Sequence, residues 1–298
     1  MRLLILLFSL LVCLSAAAAP AEVLTSIRPL ALIAREVAGE QGVVRQLVPN
    51  GASSHDYQLR PSDRLLLSRA DILLWVGPAH ETFLVRTVAA SQAQVLTAQN
   101  LPDIHLRMQR RLDGGAAIAG SVDPHLWLDP DNAVVIAQAL AEALARHDPA
   151  HSLQYWRNAN AFASRLTALK AAQTARFQRL PSHAFIAYHD AYQYLEPLLG
   201  LNFRGSLLAG DESKPSAKHF LWLSQTIHQE KITCLLAEPG FDEALARNVF
   251  AGQPSRRVMV DELFVSTTTQ GITRDTIQAT TYEAGLAQMI DGIYSCLL

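Results

Sequence analysis

The sequence predicts an α/β fold of two βα lobes, each with a mostly parallel sheet, joined by one long helix. Short apolar runs alternate with segments of helical periodicity in both halves of the chain, a pattern typical of βα units. An alanine-rich stretch without internal glycine or proline separates the halves, and 298 residues are enough for two domains. We expect a signal peptide at 1–21, a first lobe at 22–146, a linking helix at 147–180 and a second lobe at 181–298.

The N-terminus predicts export from the cytoplasm. A short positive start is followed by an apolar run at 3–14 and by a group of alanines that suits a cleavage site near Ala18 or Ala21. The run is too short to span a bilayer as a mature helix. Val12 stands where a lipobox ahead of Cys13 needs glycine or alanine, so we expect no lipid anchor.

Strands and helices of the first half follow from apolar periodicity and from prolines at helix starts. Strands are predicted at 23–27, 43–48, 71–76 and 95–98. Helices are predicted at 29–38, 61–70, 79–89 and 131–146. The segment at 102–122 contains several glycines and predicts an exposed, mobile loop.

The second half repeats the alternation after the long helix. Apolar residues at helical spacing over 149–180 predict a helix of about 45 Å that connects the lobes. Strands are then predicted at 184–188, 232–237 and 257–260, and helices at 217–230, 241–251 and 276–297.

Charge and cysteine content restrict the partners and the compartment. The formal net charge of -2 gives no sign of a nucleic-acid partner or of a basic membrane-binding face. Removal of the signal peptide leaves Cys234 and Cys296, and an even count in an oxidising compartment predicts one disulfide. Two buried free thiols are the alternative.

Four polar residues lie where ligands of α/β sheets bind, beyond the carboxyl ends of strands or at a helix start. These residues are His55, His125, His189 and Asp261, two from each lobe, so they could converge in the interlobe cleft. Three imidazoles and one oxygen suit a tetrahedral Zn²⁺. A single histidine after a strand is weak evidence, and the sequence has no HExxH or Cys/His finger pattern.

A family resemblance strengthens this interpretation. The segments are GASSHDYQLRPSD at 51–63, ADILLWVG at 70–77, HLWLDP at 125–130, YHDAY at 188–192 and TCLLAEP at 233–239. In this order they resemble zinc-specific solute-binding proteins of cluster A-I, the periplasmic components of high-affinity ABC zinc importers. The resemblance covers essentially the whole mature chain.

The resemblance implies a function and a set of site residues. His55, His125 and His189 would be zinc ligands, and Asp261 stands at the carboxylate position of many metal-binding relatives. It also implies a rigid linking helix, a metal between the lobes and a disulfide between Cys234 and Cys296. We therefore expect a monomeric periplasmic protein, not an enzyme, that captures Zn²⁺ and delivers it to an ABC permease with a cytoplasmic ATPase.

Departures from the family pattern leave parts of the site open. Ser54 replaces an acidic residue common in zinc members, so the fourth ligand is Asp261, a water or a hydroxide. The segment at 105–122 is short and basic where many members have a His-rich loop, which argues against a metal-collecting role. Glu262 follows Asp261 where relatives often have proline.

Two other functions remain as alternatives. A manganese importer component is disfavoured because manganese-specific relatives generally carry glutamate at the position of His189, and imidazole suits zinc better. A zinc-dependent hydrolase would need an open fourth ligand position, a general base and a substrate pocket. Imidazoles of ordinary pKa would also make zinc affinity fall as the pH drops through about 6.

Several nearby residues have two interpretations each. His80 and Glu81 could assist metal entry, but a solvated helix start is favoured, and His105 is more simply a loop residue than a second metal contact. Glu238 either lines the cleft or belongs to a strand-end turn. Asp56 and Asp190 could each accept a hydrogen bond from the histidine that precedes them.

Overall fold

The computed structural model describes residues 20–52, 54–55, 57–180, 184–208, 216–238, 241–260, 262–264 and 280–298. Most of the proposed signal peptide, Asp56 and Asp261 lie outside these residues. Ala21, the last residue of the predicted signal range, begins the first strand and is fully buried. Among the described helices, none combines the length and the apolar character needed to cross a membrane.

The first sheet is parallel, as predicted. Its described strands are β1 Ala21–Thr25, β2 Gly42–Gln46, β3 Ile72–Trp75 and β4 Gln94–Thr97, in the order β2-β1-β3-β4. The helices α1 Arg28–Ala38, α2 Pro61–Arg69 and α3 Val85–Ala89 connect or follow these strands. All four residues of β3 are buried, as a central parallel strand requires.

The second sheet has the same topology. Its described strands are β5 Ala184–Ala187, β6 Asn202–Ser206, β7 Cys234–Ala237 and β8 Arg256–Met259, parallel and in the order β6-β5-β7-β8. The helices are α6 Glu196–Leu199, α7 Ala217–Glu230, α8 Glu243–Phe250 and α9 Tyr282–Leu297. The sequence did not predict α6 or β6, because the edge strand β6 contains Arg204 and Gly205 and so lacks an apolar run.

Two long helices follow β4 and precede β5 in the chain. Helix α4 spans Pro130–His147, and the Asp129 side chain caps it by accepting from the backbone N–H of Asp131. Helix α5 spans Ser152–Phe177, 26 residues or about 39 Å. It is shorter than predicted because Pro149–His151 forms a separate 3₁₀ turn.

A continuous apolar core joins the two sheets around α5. Phe162 of α5 packs edge-on against Tyr282 of α9, with ring centroids 5.6 Å apart. Trp127 lies in the same fully buried cluster and donates its indole N–H to the carbonyl of Glu262 at 2.8 Å. The sheets therefore share one core, while the exact lobe boundaries remain a prediction.

The predicted disulfide is present and fastens α9 to β7. Cys234 and Cys296 are bonded with an S–S distance of 2.04 Å, and their Cα atoms are 5.2 Å apart. Both residues are buried, Cys234 at the start of the strand and Cys296 near the end of the helix.

The segment at 102–122, predicted as an exposed and mobile loop, is largely exposed and contains a hairpin. Residues 109–118 form a hairpin, with an antiparallel bridge between Arg110 and Ala117 and a bond of 2.7 Å from the Ile118 N–H to the Gln109 carbonyl. The Ser206 N–H of β6 donates to the Leu112 carbonyl at 3.1 Å. Glycines predict turns, but they carry no information on what a turn docks against.

Candidate metal centre

Three of the predicted ligands lie together between the two sheets. His55 follows β2, His125 immediately precedes a 3₁₀ turn that leads into α4, and His189 follows β5. One ring nitrogen from each lies within 4.8 Å of the others. His125 and His189 are each 2% exposed, and His55 is half-buried. The topology brings them together because the carboxyl ends of parallel strands meet at one edge of each sheet.

Carboxylates orient two of the imidazoles. The Asp123 carboxylate accepts from Nδ1–H of His125 at 2.8 Å and from its backbone N–H at 3.0 Å. Glu238, which follows β7, accepts from Nδ1–H of His189 at 2.6 Å. With the proton of each ring on Nδ1, each Nε2 is the unprotonated nitrogen, as it is in metal-ligating histidines.

The two Nε2 atoms face each other at 3.2 Å. Two lone pairs at this distance repel unless a proton or a cation lies between them. Two nitrogens at 2.0–2.1 Å from a tetrahedral Zn²⁺ would be about 3.3–3.4 Å apart. The pair is therefore spaced like two ligands of one small cation.

Burial keeps His125 in its metal-binding form. It lowers the pKa of His125 to about 3, so the imidazole is uncharged at neutral pH. Burial also raises the pKa of Asp123 to about 7. At pH 6, where zinc affinity is predicted to fall, His125 is therefore already uncharged.

His80 is not the solvated helix start that the sequence favoured. Its side chain is 2% exposed, because a tight turn at 77–81 directs it beside the site. Its Nε2 forms a hydrogen bond of 3.0 Å with Ser54 Oγ, and its ring lies edge-on to His55 at a centroid distance of 4.5 Å. His80 thus contacts the segment that carries His55, but it does not belong to the cluster of three histidines.

The remaining candidates have other partners or lie outside the described residues. Asp190 does not orient His189, because its carboxylate binds Arg110 at 2.6 Å. His105 lies in an exposed group with Asp129 and Asp131. Asp129 caps α4, and Lys170 contacts Asp131 at 2.5 Å, so both carboxylates already have protein partners.

Sequence reasoning overlooked Asp123 and left the role of Glu238 open. A carboxylate two residues before a histidine can reach its Nδ1, and this spacing in DPH at 123–125 was a usable signal. Glu238 gave no such signal, because 49 residues separate it from His189. It meets His189 because β5 and β7 are neighbours in the sheet.

A cavity of about 510 Å³ opens beside these residues. It is lined by Asp123, His125 and Asp190, by residues of the hairpin, and by Lys218, His219 and Trp222 of α7. A solute could approach His125 through this opening.

Comparison with known proteins places the chain among metal-uptake components. The family model described as zinc-uptake complex component A, periplasmic, matches residues 23–296. The chain is 30% identical over 278 residues to the high-affinity zinc uptake system protein ZnuA of Brucella abortus, with 81% of this chain and 83% of that protein covered.

Two further comparisons agree. The high-affinity zinc uptake system protein ZnuA of Yersinia pestis is 29% identical over 301 residues, covering 94% of this chain and 92% of that protein. The solved structure of the periplasmic zinc-binding protein TroA from Treponema pallidum superposes with a TM-score of 0.78 at 21% identity, covering 93% and 99% of the two chains. At that identity the structural likeness shows the fold alone.

Proposed function

The chain belongs to the zinc-uptake complex component A family, and from this premise we propose that it captures Zn²⁺ in the periplasm for import into the cell. Membership in a family of binding components makes it a binding protein and not an enzyme. The observation that carries the proposal is the pair of buried Nε2 atoms at 3.2 Å, each on an imidazole oriented by a carboxylate.

We propose His55, His125 and His189 as the zinc ligands. One ring nitrogen of each lies within 4.8 Å of the other two. Imidazole nitrogen suits Zn²⁺, whereas Mn²⁺ prefers oxygen ligands. Relatives named for zinc uptake also disfavour the manganese alternative.

We propose Asp261 as the fourth ligand. It follows Val260, whose N–H donates to the Ala237 carbonyl at 2.8 Å, and it precedes Glu262, whose carbonyl binds Trp127. The Trp127 ring lies 5.4 Å from that of His125. The two sequence neighbours of Asp261 therefore hydrogen-bond to residues close to the site: Val260 to the residue before Glu238, and Glu262 to Trp127 beside His125. A carboxylate in this position would close the coordination shell and leave no opening for hydrolysis.

Delivery requires a membrane partner. We propose that the zinc-loaded monomer docks on an ABC permease with a cytoplasmic ATPase. The curated zinc-uptake relatives support this assignment through their names. Because Ala21 is buried in β1, we propose that signal cleavage occurs before this residue.

A calorimetric titration of the chelator-stripped mature protein tests the proposal. We expect tight binding of one Zn²⁺ per chain and much weaker binding of Mn²⁺. Tight manganese binding would overturn the choice of metal. Absence of tight binding of either ion would overturn the site.

A further inference from the structure

The hairpin at 109–118 connects the two halves of the metal site. It precedes His125 in the chain, yet its backbone and side chains contact the segment at 190–206, which follows His189. His125 and His189 belong to different halves of the protein, so their separation depends on such connections.

Arg110 is the centre of this contact. Its Nε and Nη2 atoms donate to the two oxygens of Asp190 at 2.6 and 2.7 Å, a bidentate pair next to His189 in sequence. Nη1 donates to Glu196 at 2.9 Å. The guanidinium also lies over the ring of Phe203, 3.9 Å from its centroid. Only 12% of the Arg110 side chain is exposed, so solvent screens these ion pairs weakly.

A second group of bonds runs parallel to this bridge. The Tyr194 hydroxyl accepts from the Arg107 N–H at 3.0 Å and donates to the Asp123 carbonyl at 2.9 Å. The Gln193 amide donates to the Asp123 carboxylate at 3.3 Å. Asp123 is the residue that orients His125, so the chain on both sides of the hairpin is bonded to the segment that follows His189.

We propose that Arg110 is a positioning residue of the metal site. By binding Asp190 it holds His189 against His125, and so it slows release of the ion. This inference rests on the proposed function, because it concerns the same three histidines. Arg110 itself is not a ligand, since all its donors are N–H groups without a free lone pair.

The test compares Arg110→Gln and Arg110→Lys with Arg111→Gln in the full mature protein. Arg111 is a matched control because it adjoins Arg110, its side chain is 69% exposed, and its guanidinium pairs with Asp113 of the same hairpin at 3.7 Å. Zinc release into excess chelator is followed by stopped flow, and the visible spectrum of the Co²⁺-loaded protein reports the ligand geometry. Amide exchange at Ser206 in the metal-free protein reports whether the hairpin stays docked.

We expect Arg110→Gln to release zinc about tenfold faster, within the range for loss of an outer-shell partner, and to alter the Co²⁺ spectrum. Arg110→Lys should fall between this variant and the parent, because an ammonium keeps the charge but not the bidentate geometry. Arg111→Gln should match the parent. Equal release from Arg110→Gln and the parent, or equal acceleration by the Arg110 and Arg111 variants, would overturn the proposal.

The exchange measurement separates this proposal from the function itself. If the parent binds no zinc, the proposed function fails. Unchanged Ser206 exchange in metal-free Arg110→Gln contradicts the bridge whether or not zinc binds, because the Ser206 N–H donates directly to the hairpin.

Discussion

At the scale of single residues, environment gives histidines of this site different roles. His125 and His189 each donate Nδ1–H to a carboxylate, so that Nε2 is the nitrogen available for the proposed metal. His80 bonds to Ser54 through Nε2 instead, and its Nδ1 has no hydrogen-bond partner among the described residues. Ser54 stands where an acidic residue is common in zinc members, and here its hydroxyl forms a hydrogen bond with His80.

Glu238→Gln should weaken zinc binding by about 10- to 100-fold. The neutral amide can still accept from Nδ1–H of His189, but it no longer increases the basicity of Nε2. Calorimetry would measure the change. Glu230→Gln is a suitable control, because Glu230 forms an exposed ion pair with Arg204 outside the site, and it should bind zinc like the parent. Equal zinc affinities of the parent, Glu238→Gln and Glu230→Gln would show that Glu238 does not contribute to zinc binding.

His189→Ala should weaken zinc binding far more than His80→Ala, by more than the roughly 100-fold that loss of an outer-shell partner costs. His189 offers Nε2 to the shared point, whereas His80 contacts the His55 segment. Competition with a fluorescent chelator would rank the two variants. Similar losses in both would mean that the site is misplaced.

At the scale of elements, the turn after β3 depends on a buried carboxylate. Glu81 accepts from the backbone N–H groups of Val76 and Gly77 at 3.2 and 2.9 Å and is fully buried. Burial raises the pKa of Glu81 to about 7 from the ordinary 4.5. Folding therefore favours the protonated form. This contribution to stability is full below the unfolded pKa and is lost as the pH rises through about 7.

The metal-free protein should accordingly lose thermal stability between about pH 4.5 and pH 7, and Glu81→Gln should reduce this dependence to the part that Asp123 contributes. Differential scanning calorimetry at several pH values would measure Tm. Glu142→Gln provides the control, since Glu142 is 57% exposed and pairs with Arg146 on the surface of α4. The same slope in the parent and in Glu81→Gln would show that another group titrates.

The disulfide between α9 and β7 should contribute measurably to the free energy of unfolding. It closes a loop of 62 residues, so replacing both cysteines by alanine should lower the free energy of unfolding by about 4 kcal/mol. Urea denaturation of the metal-free proteins would measure this difference. Reduction of the parent should produce a similar loss, while a loss below about 1 kcal/mol would mean that packing alone holds α9 on β7.

At the scale of the whole molecule, the two sheets share one core around α5. We expect a single unfolding transition, because the main cluster contains buried residues from both halves. Free zinc at 1,000 times its Kd should stabilise the folded state by about 4 kcal/mol and raise Tm by roughly 10 °C. His189→Ala should show little of this rise. Two transitions, with zinc shifting only one, would place the ion within a single lobe.

Much of the fold was predictable because its signals are local. Parallel strands and helix α7 followed from apolar runs and helical periodicity, and the order of elements then required two βα sheets. Strand β6 was missed because Arg204 and Gly205 interrupt its apolar pattern. The docking of the hairpin was not predicted, since turn residues carry no signal for the ion pairs of Arg110 with Asp190 and Glu196.

The sequence by itself determined the fold class, the three candidate histidines and the disulfide. Apolar periodicity, short motifs and the number of cysteines can be read from the sequence without knowledge of tertiary contacts. Only the tertiary structure decided that Glu238 orients His189, that His80 is buried beside His55 and that Arg110 bridges to Asp190. Each of these pairs is 25 to 80 residues apart in sequence and within contact distance in space. Such contacts depend on strand order and on helix packing, which no local pattern specifies.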